Sequence, residues 1–228
     1  MIKKFTIYGE RCSGTTYLEA LIRTNFDVKI TWEYGWKHFF GFDEEKLKES
    51  EDTLFICIVR NPVDWINSFY RKQHHWYLKN NKRLSNIQKL YYFLNKEFWS
   101  CNDNDTKNIL NEIMKDRNIY TNNRYKNIFE LRHTKLKYII EDLPKKVKNY
   151  IFIRYEDLLN NFINTMIKIK NKGLNIKHGI KFPLNNKYYK GDPTKKIFKK
   201  VKKQYIPNRF ILNNPNIIKH YEKLLGYI

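Results

Sequence analysis

Residues 5–18 read Phe-Thr-Ile-Tyr-Gly-Glu-Arg-Cys-Ser-Gly-Thr-Thr-Tyr-Leu, and this stretch decides the fold. Residues 5–8 have the apolar character of a short buried strand, residues 9–14 form a tight loop, and Thr15 opens an amphipathic helix. Glycines at both ends of the loop allow backbone conformations that other residues resist. The stretch therefore predicts a loop that turns its N–H groups, and the positive end of a helix, towards an anion.

The loop departs from the Walker A pattern G-x-x-x-x-G-K-[ST] in one position, because Thr15 stands where that pattern has lysine. That lysine reaches the β- and γ-phosphates during phosphoryl transfer, so its absence argues against an ordinary ATPase. Arg11 brings a positive charge into the loop instead. A P-loop-type kinase of a nucleotide or metabolite stays an alternative, and so does a plain strand-to-helix turn.

The composition indicates a globular protein. The 228 residues are 42% hydrophobic and 16% aromatic, which is enough for one domain with its own core. No apolar run approaches the roughly 18 residues of a membrane span, and no signal-peptide core is present. Cys12, Cys57 and Cys101 have neither metal-binding nor disulfide spacing. We therefore expect a cytoplasmic protein.

A net charge of +21 favours a polyanionic partner. The Asn-, Lys- and Ile-rich composition is typical of an AT-rich genome, which weakens the argument from charge. A basic nucleic-acid-binding protein without catalysis is a second alternative, although no recognised nucleic-acid motif is present. A helix predicted over residues 195–205 carries a basic face, which is either a plain solvated surface or a surface that attracts an anionic acceptor such as a glycan. Its lysines are Lys195, Lys196, Lys199, Lys200, Lys202 and Lys203.

Apolar segments alternate with helical patterns along the chain. Strands are predicted over residues 5–8, 28–33, 53–59 and 150–153, and residues 85–148 are predicted to be helical throughout. The prediction is one α/β domain over residues 1–228, with a three-layer, mostly parallel central sheet flanked by helices, as in P-loop NTPases, and a helical acceptor-side insertion over residues 71–148. Ligands of such sheets lie beyond the carboxyl ends of the strands.

A second anion-binding motif follows the strand at residues 53–59, where Arg60 precedes Ser68 by eight residues. A forked guanidinium contact and a hydroxyl suit a phosphate. Together with the loop, this motif resembles the sulfotransferase superfamily that uses 3′-phosphoadenylyl sulfate (PAPS), across roughly residues 5–70.

The resemblance implies a set of donor-binding residues. Ser13, Gly14, Thr15 and Thr16 would bind the 5′-phosphosulfate, Arg60 and Ser68 the 3′-phosphate, with Tyr155 near the adenine and Lys190-Gly191 assisting at the 3′-phosphate. Family loops usually carry Lys or Arg at the position of Cys12. Here the basic residue is Arg11, so either Arg11 reaches the bridging oxygen or another cation does, and Lys37 is that candidate.

The resemblance also implies in-line transfer of a sulfuryl group from PAPS to an acceptor hydroxyl or amine, with adenosine 3′,5′-bisphosphate as product and no metal required. Arg11 and Lys37 are expected to stabilise the charge on the leaving phosphate. The family places a His or Glu base after the second strand, and His38 suits a base at neutral pH, with Glu33 second.

The sequence does not identify the acceptor. A carbohydrate is the favoured class, while a lipid headgroup, a small phenol and a peptide tyrosine stay open. A sulfotransferase-like protein without activity is a third alternative, because of the departure at Cys12.

Overall fold

The computed structural model describes residues 1–42, 44–72, 75–78, 83–101, 112–177, 179, 182, 187–188, 196–197 and 206–228, the pairs 187–188 and 196–197 by their backbone alone. The chain divides into two compact units. The first comprises Met1–Asn61 and Ile139–Lys203, and the second comprises Pro62–Tyr138 and Gln204–Ile228. The prediction of a single domain over residues 1–228 stays a prediction.

The first unit contains a parallel sheet of four strands, β1 (Lys4–Gly9), β2 (Lys29–Ile30), β3 (Thr53–Val59) and β4 (Tyr150–Arg154), in the order β2-β1-β3-β4. All three pairings are parallel. Every residue of β3 is buried, as expected of a central strand in a sheet that is covered on both faces. The predicted α/β class with a parallel sheet flanked by helices is confirmed.

The described residues also form α-helices and two short strands. The helices are α1 (Thr15–Asn25), α2 (Pro62–Tyr70), α3 (Asn86–Asn95), α4 (Ile128–Lys137), α5 (Leu143–Lys146), α6 (Tyr155–Asn160), α7 (Phe162–Lys170), α8 (Asn208–Leu212) and α9 (Lys219–Leu224). Strands β5 (Lys187–Tyr188) and β6 (Lys196–Ile197) pair antiparallel. Short 3₁₀ turns occupy Glu44–Glu49 and Met114–Asp116, and a π-helical turn occupies Tyr138–Asp142.

Alternating side chains of β1 serve the two faces of the sheet. Ile7 enters a buried apolar cluster with Leu18 of α1, Ile56 of β3 and Met166 of α7. On the other face, the ring of Tyr8 stacks on Phe40 at 5.1 Å and meets the edge of Phe55 at 5.8 Å. The two faces of β1 therefore pack into different surroundings, one against α1 and α7 and the other against aromatic rings.

The second unit has a core of its own. The ring of Phe69 on α2 packs edge-on against Phe93 of α3 at 6.2 Å and against Phe98 at 5.5 Å. Arg132 of α4 forms a buried ion pair with Glu222 of α9, in which Nη2 lies 2.9 Å from Oε2. This pair ties the C-terminal segment to the helices that precede it in the chain.

Three sequence predictions need correction. The strand predicted over residues 28–33 is reduced to Lys29–Ile30. Residues 85–148 are not helical throughout, since Phe98 and Tyr125 form an antiparallel bridge between α3 and α4. Buried apolar residues there, such as Phe98 and Tyr125, lie in extended segments and not in a helix. The Asn-rich stretch 118–127 disfavours helix. The helix predicted over residues 195–205 is wrong at Lys196–Ile197, which are β6; other residues of that stretch lie outside the described ones.

Among the described residues, no helix combines the length and the apolar character that crossing a membrane requires.

Candidate functional site

The loop between β1 and α1 is packed tightly against neighbouring strand ends. A Cβ atom on Gly9 would stand 2.7 Å from the carbonyl oxygen of Ile58. Gly14 has a φ of 100°, and a Cβ atom there would stand 2.3 Å from Cδ2 of Tyr155. Both positions therefore need glycine, Gly9 for close approach and Gly14 also for its left-handed backbone.

Within the loop, Cys12 has a φ of 66°, which is uncommon for a residue with a side chain. The main-chain N–H and the hydroxyl of Ser13 donate to the carbonyl oxygen of Glu10 at 3.1 and 2.7 Å. No described side chain caps the first turn of α1, which begins at the buried Thr15. The positive end of α1 thus follows directly on a tightly bent loop.

Lys37 reaches this loop from the segment after β2. Its Nζ donates to Oγ1 of Thr16 at 3.2 Å, and the N–H of Gly9 donates to the carbonyl oxygen of Lys37 at 3.0 Å. The ammonium lies 5.7 Å from the ring centroid of Trp32 and 5.3 Å from that of Trp36. The residue that the sequence offered as the alternative cation is therefore in contact with the loop.

His38 is oriented by the main chain of β1. Its Nδ1 lies 2.9 Å from the carbonyl oxygen of Gly9. A carbonyl oxygen only accepts hydrogen bonds, so Nδ1 carries the proton and Nε2 is the basic nitrogen of the neutral ring. His38 is half-buried, which leaves part of the ring accessible.

Two arginines lie around the loop. The guanidinium of Arg11 is buried over the ring of Phe39, 5.1 Å from its centroid. Nη1 of Arg60 donates to the carbonyl oxygen of Cys12 at 3.2 Å, and its guanidinium lies 4.9 Å from the ring centroid of Tyr155. The ends of β1, β3 and β4 therefore contribute side chains to one group.

One predicted site residue lies away from this group, one belongs to the second unit, and two lie outside the described residues. Glu33 is exposed and forms an ion pair with Lys4 at 3.1 Å, at the end of β1 opposite to Gly9. Ser68 is half-buried on α2 of the second unit, and its pairing with Arg60 stays a prediction. Lys190 and Gly191 lie outside the described residues.

Sequence reasoning missed Glu19. Its Oε2 lies 3.4 Å from Nζ of Lys37. The signal was its position on α1, three residues after Thr16 and on the same face of the helix. The sequence carries no pattern that pairs Glu19 with Lys37, which lies eighteen residues further along the chain.

Burial raises the pKa of two groups in the first unit. Burial, and secondarily the neighbouring Tyr155, raises the pKa of the Tyr17 hydroxyl. Burial raises the pKa of the Cys57 thiol in β3, so this thiol stays protonated and unreactive at neutral pH. Clusters of three or more His, Cys, Asp or Glu side chains suited to a metal ion are absent from the described part of the chain.

No family model matches the chain, and no curated protein matches it. Twelve solved chains match in structure. One is mouse sulfotransferase SULT7A1 complexed with PAP, with 16% sequence identity and a TM-score of 0.42 over 77% of this chain. This chain spans 61% of the length of that one. A likeness of this degree does not assign the chain to a family.

Proposed function

We propose that this chain is a sulfotransferase that moves a sulfuryl group from PAPS to the hydroxyl or amine of an acceptor. The observation that supports the proposal most is the 3.2 Å contact between Nζ of Lys37 and Oγ1 of Thr16. The loop has Cys12 where sulfotransferase loops carry Lys or Arg. Lys37 brings a cation to Thr16 from another segment and would take the place of the basic residue that the loop lacks at Cys12.

The side chains around the loop suit an anionic nucleotide. The first N–H groups of α1 would bind the 5′-phosphosulfate, together with the hydroxyl of Thr16. The hydroxyl of Ser13 already donates to the carbonyl oxygen of Glu10, so Ser13 would contribute through its place in the tight turn. Arg60 is held by the carbonyl oxygen of Cys12 and by the ring of Tyr155, so its forked donors are preorganised for the 3′-phosphate. The residues present therefore fit the proposed donor.

The chain's own residues divide the chemistry between them. The donor, when bound, supplies the sulfuryl group to an in-line displacement. The bond from sulfur to the acceptor oxygen forms as the bond from sulfur to the leaving phosphate oxygen breaks. Arg11 and Lys37 stabilise the charge on that oxygen. Nε2 of His38 takes the acceptor proton, and the bond from Nδ1 to Gly9 fixes the orientation of the ring.

A P-loop-type kinase is the second candidate, because the ammonium of Lys37 beside Thr16 would also suit the phosphates of ATP. The stacking of Arg60 on Tyr155 favours the sulfotransferase, since it prepares a second phosphate site beside an aromatic ring. A carbohydrate, including an anionic glycan, remains the favoured acceptor on the strength of the net charge of +21.

Calorimetric titration tests the proposal. Adenosine 3′,5′-bisphosphate should bind the wild-type protein more tightly than ATP with Mg²⁺. Arg60→Ala should weaken the bisphosphate by about 10- to 100-fold, as expected for a lost charge-assisted hydrogen bond. Arg154→Ala is the matched control, because Arg154 also ends a parallel strand but pairs with Asp157 at 2.9 Å. A preference for ATP with Mg²⁺ would overturn the sulfotransferase proposal in favour of the kinase.

A further inference from the structure

Glu19 contacts two cations from its place on α1. Its Oε2 lies 3.4 Å from Nζ of Lys37, and its Oε1 lies 3.4 Å from Nη1 of Arg23. The side chains of Glu19 and Lys37 are 19% and 9% exposed, whereas that of Arg23 is 61% exposed. Solvent therefore screens the pair with Arg23 far more than the pair with Lys37.

A carboxylate in this position opposes an incoming anion. Lys37 carries three N–H donors on one ammonium, and Thr16 and Glu19 already engage it. An anion that reaches Lys37 shares the ammonium with Glu19 and is repelled by the charge of that carboxylate. Because the group is largely shielded from water, this repulsion is stronger than it would be between exposed charges.

We propose that Glu19, through its contact with Lys37, limits how tightly the loop holds an anion. Its carboxylate counterbalances part of the charge of the ammonium, which lets the product nucleotide leave. The inference rests on the proposed function for the identity of that nucleotide. The opposition of Glu19 to an anion at the loop follows from the charges alone.

A variant that removes only the charge of Glu19 tests this role, because other groups also hold Lys37 in place. The rings of Trp32 and Trp36 lie within 5.7 Å of the ammonium, and the N–H of Gly9 holds the main chain. Glutamine keeps the size of Glu19 and one acceptor oxygen. Glu19→Gln should therefore leave the position of Lys37 and the melting temperature nearly unchanged.

The experiment is calorimetric titration with two probes, adenosine 3′,5′-bisphosphate and inorganic pyrophosphate, at fixed salt. Glu19→Gln should bind both on the order of tenfold more tightly than wild type. Glu19→Asp, which keeps the charge, should stay near wild type. Arg23→Gln removes the other partner of Glu19 and is the matched control. In a Lys37→Met background, the tightening of probe binding by Glu19→Gln should shrink to less than half. A merely structural role of Glu19 would leave this tightening independent of Lys37.

The outcomes separate this inference from the proposed function. Tightening with pyrophosphate but no bisphosphate binding would support the role of Glu19 and overturn the sulfotransferase. Wild-type bisphosphate binding that Glu19→Gln leaves unchanged or weakens would overturn the role of Glu19 alone. If neither probe binds wild-type protein or Glu19→Gln, the loop is not an anion site and both proposals fall.

Discussion

His38 receives its orientation from a main-chain carbonyl, that of Gly9, at 2.9 Å. The same glycine ends β1 and begins the loop, so one residue fixes both the turn and the candidate base. A carbonyl orients the ring without adding charge, and it leaves Nε2 as the basic nitrogen.

His38→Ala should lower the rate of sulfuryl transfer by about 10²–10⁴, because the acceptor loses its general base. The affinity for adenosine 3′,5′-bisphosphate should change little. The measurement is transfer of labelled sulfate from PAPS to an acceptor identified by screening, with calorimetry for the nucleotide. His220→Ala, on the exposed side of α9, is the control. An unchanged transfer rate would remove His38 from the mechanism.

At the scale of elements, the loop depends on how closely α6 approaches it. Gly14 and Gly173 both have left-handed backbones, with φ of 100° and 96°. A Cβ atom on Gly14 would stand 2.3 Å from the ring of Tyr155, whereas one on Gly173 would stand 3.6 Å from Ile2. A side chain at either position would therefore strain the backbone, and only at Gly14 would it also clash with a neighbouring ring.

Gly173→Ala should lower the free energy of unfolding by about 1–2 kcal/mol, the cost of a left-handed alanine. Gly14→Ala should lower it by a further ~1–3 kcal/mol through overpacking against Tyr155. Urea denaturation measures both, and Tyr155→Ala should relieve the additional loss in a double variant. Equal losses for the two glycine variants would contradict the packing of Tyr155 against the loop.

At the scale of the whole molecule, the charges are strongly unbalanced, with 44 Lys and Arg against 23 Asp and Glu. Repulsion among like charges destabilises a folded chain, and salt screens it. Salt equally screens exposed ion pairs, such as Lys148 with Glu51 at 3.7 Å. The buried pair of Arg132 with Glu222 is screened less.

The melting temperature should therefore rise when NaCl is increased from about 0.05 to 0.5 M, because repulsion among the excess cations outweighs the exposed ion pairs. Differential scanning fluorimetry measures the shift. An uncharged osmolyte of equal osmolarity serves as the control for effects of water activity. A melting temperature that falls with salt would mean that ion pairs, and not repulsion, dominate the electrostatics.

The sequence by itself predicted the α/β class, the bounds of β3 and the start of α1. The run at residues 53–59 is buried on both faces, so apolar side chains alone identify it, and β3 has those bounds. Thr15 does begin α1, because the glycine before it can take the left-handed conformation that ends the loop. These features are local, and local chemistry suffices to predict them.

The tertiary structure decided which strand-end residues meet. Glu33 and His38 follow the same strand, yet Glu33 pairs with Lys4 at one end of β1 and His38 bonds to Gly9 at the other. Contacts between distant residues, such as Glu19 with Lys37, depend on strand order and register. The segment after α3 shows the same limit, because its Asn-rich stretch 118–127 disfavours helix but the pairing of Phe98 with Tyr125 depends on packing.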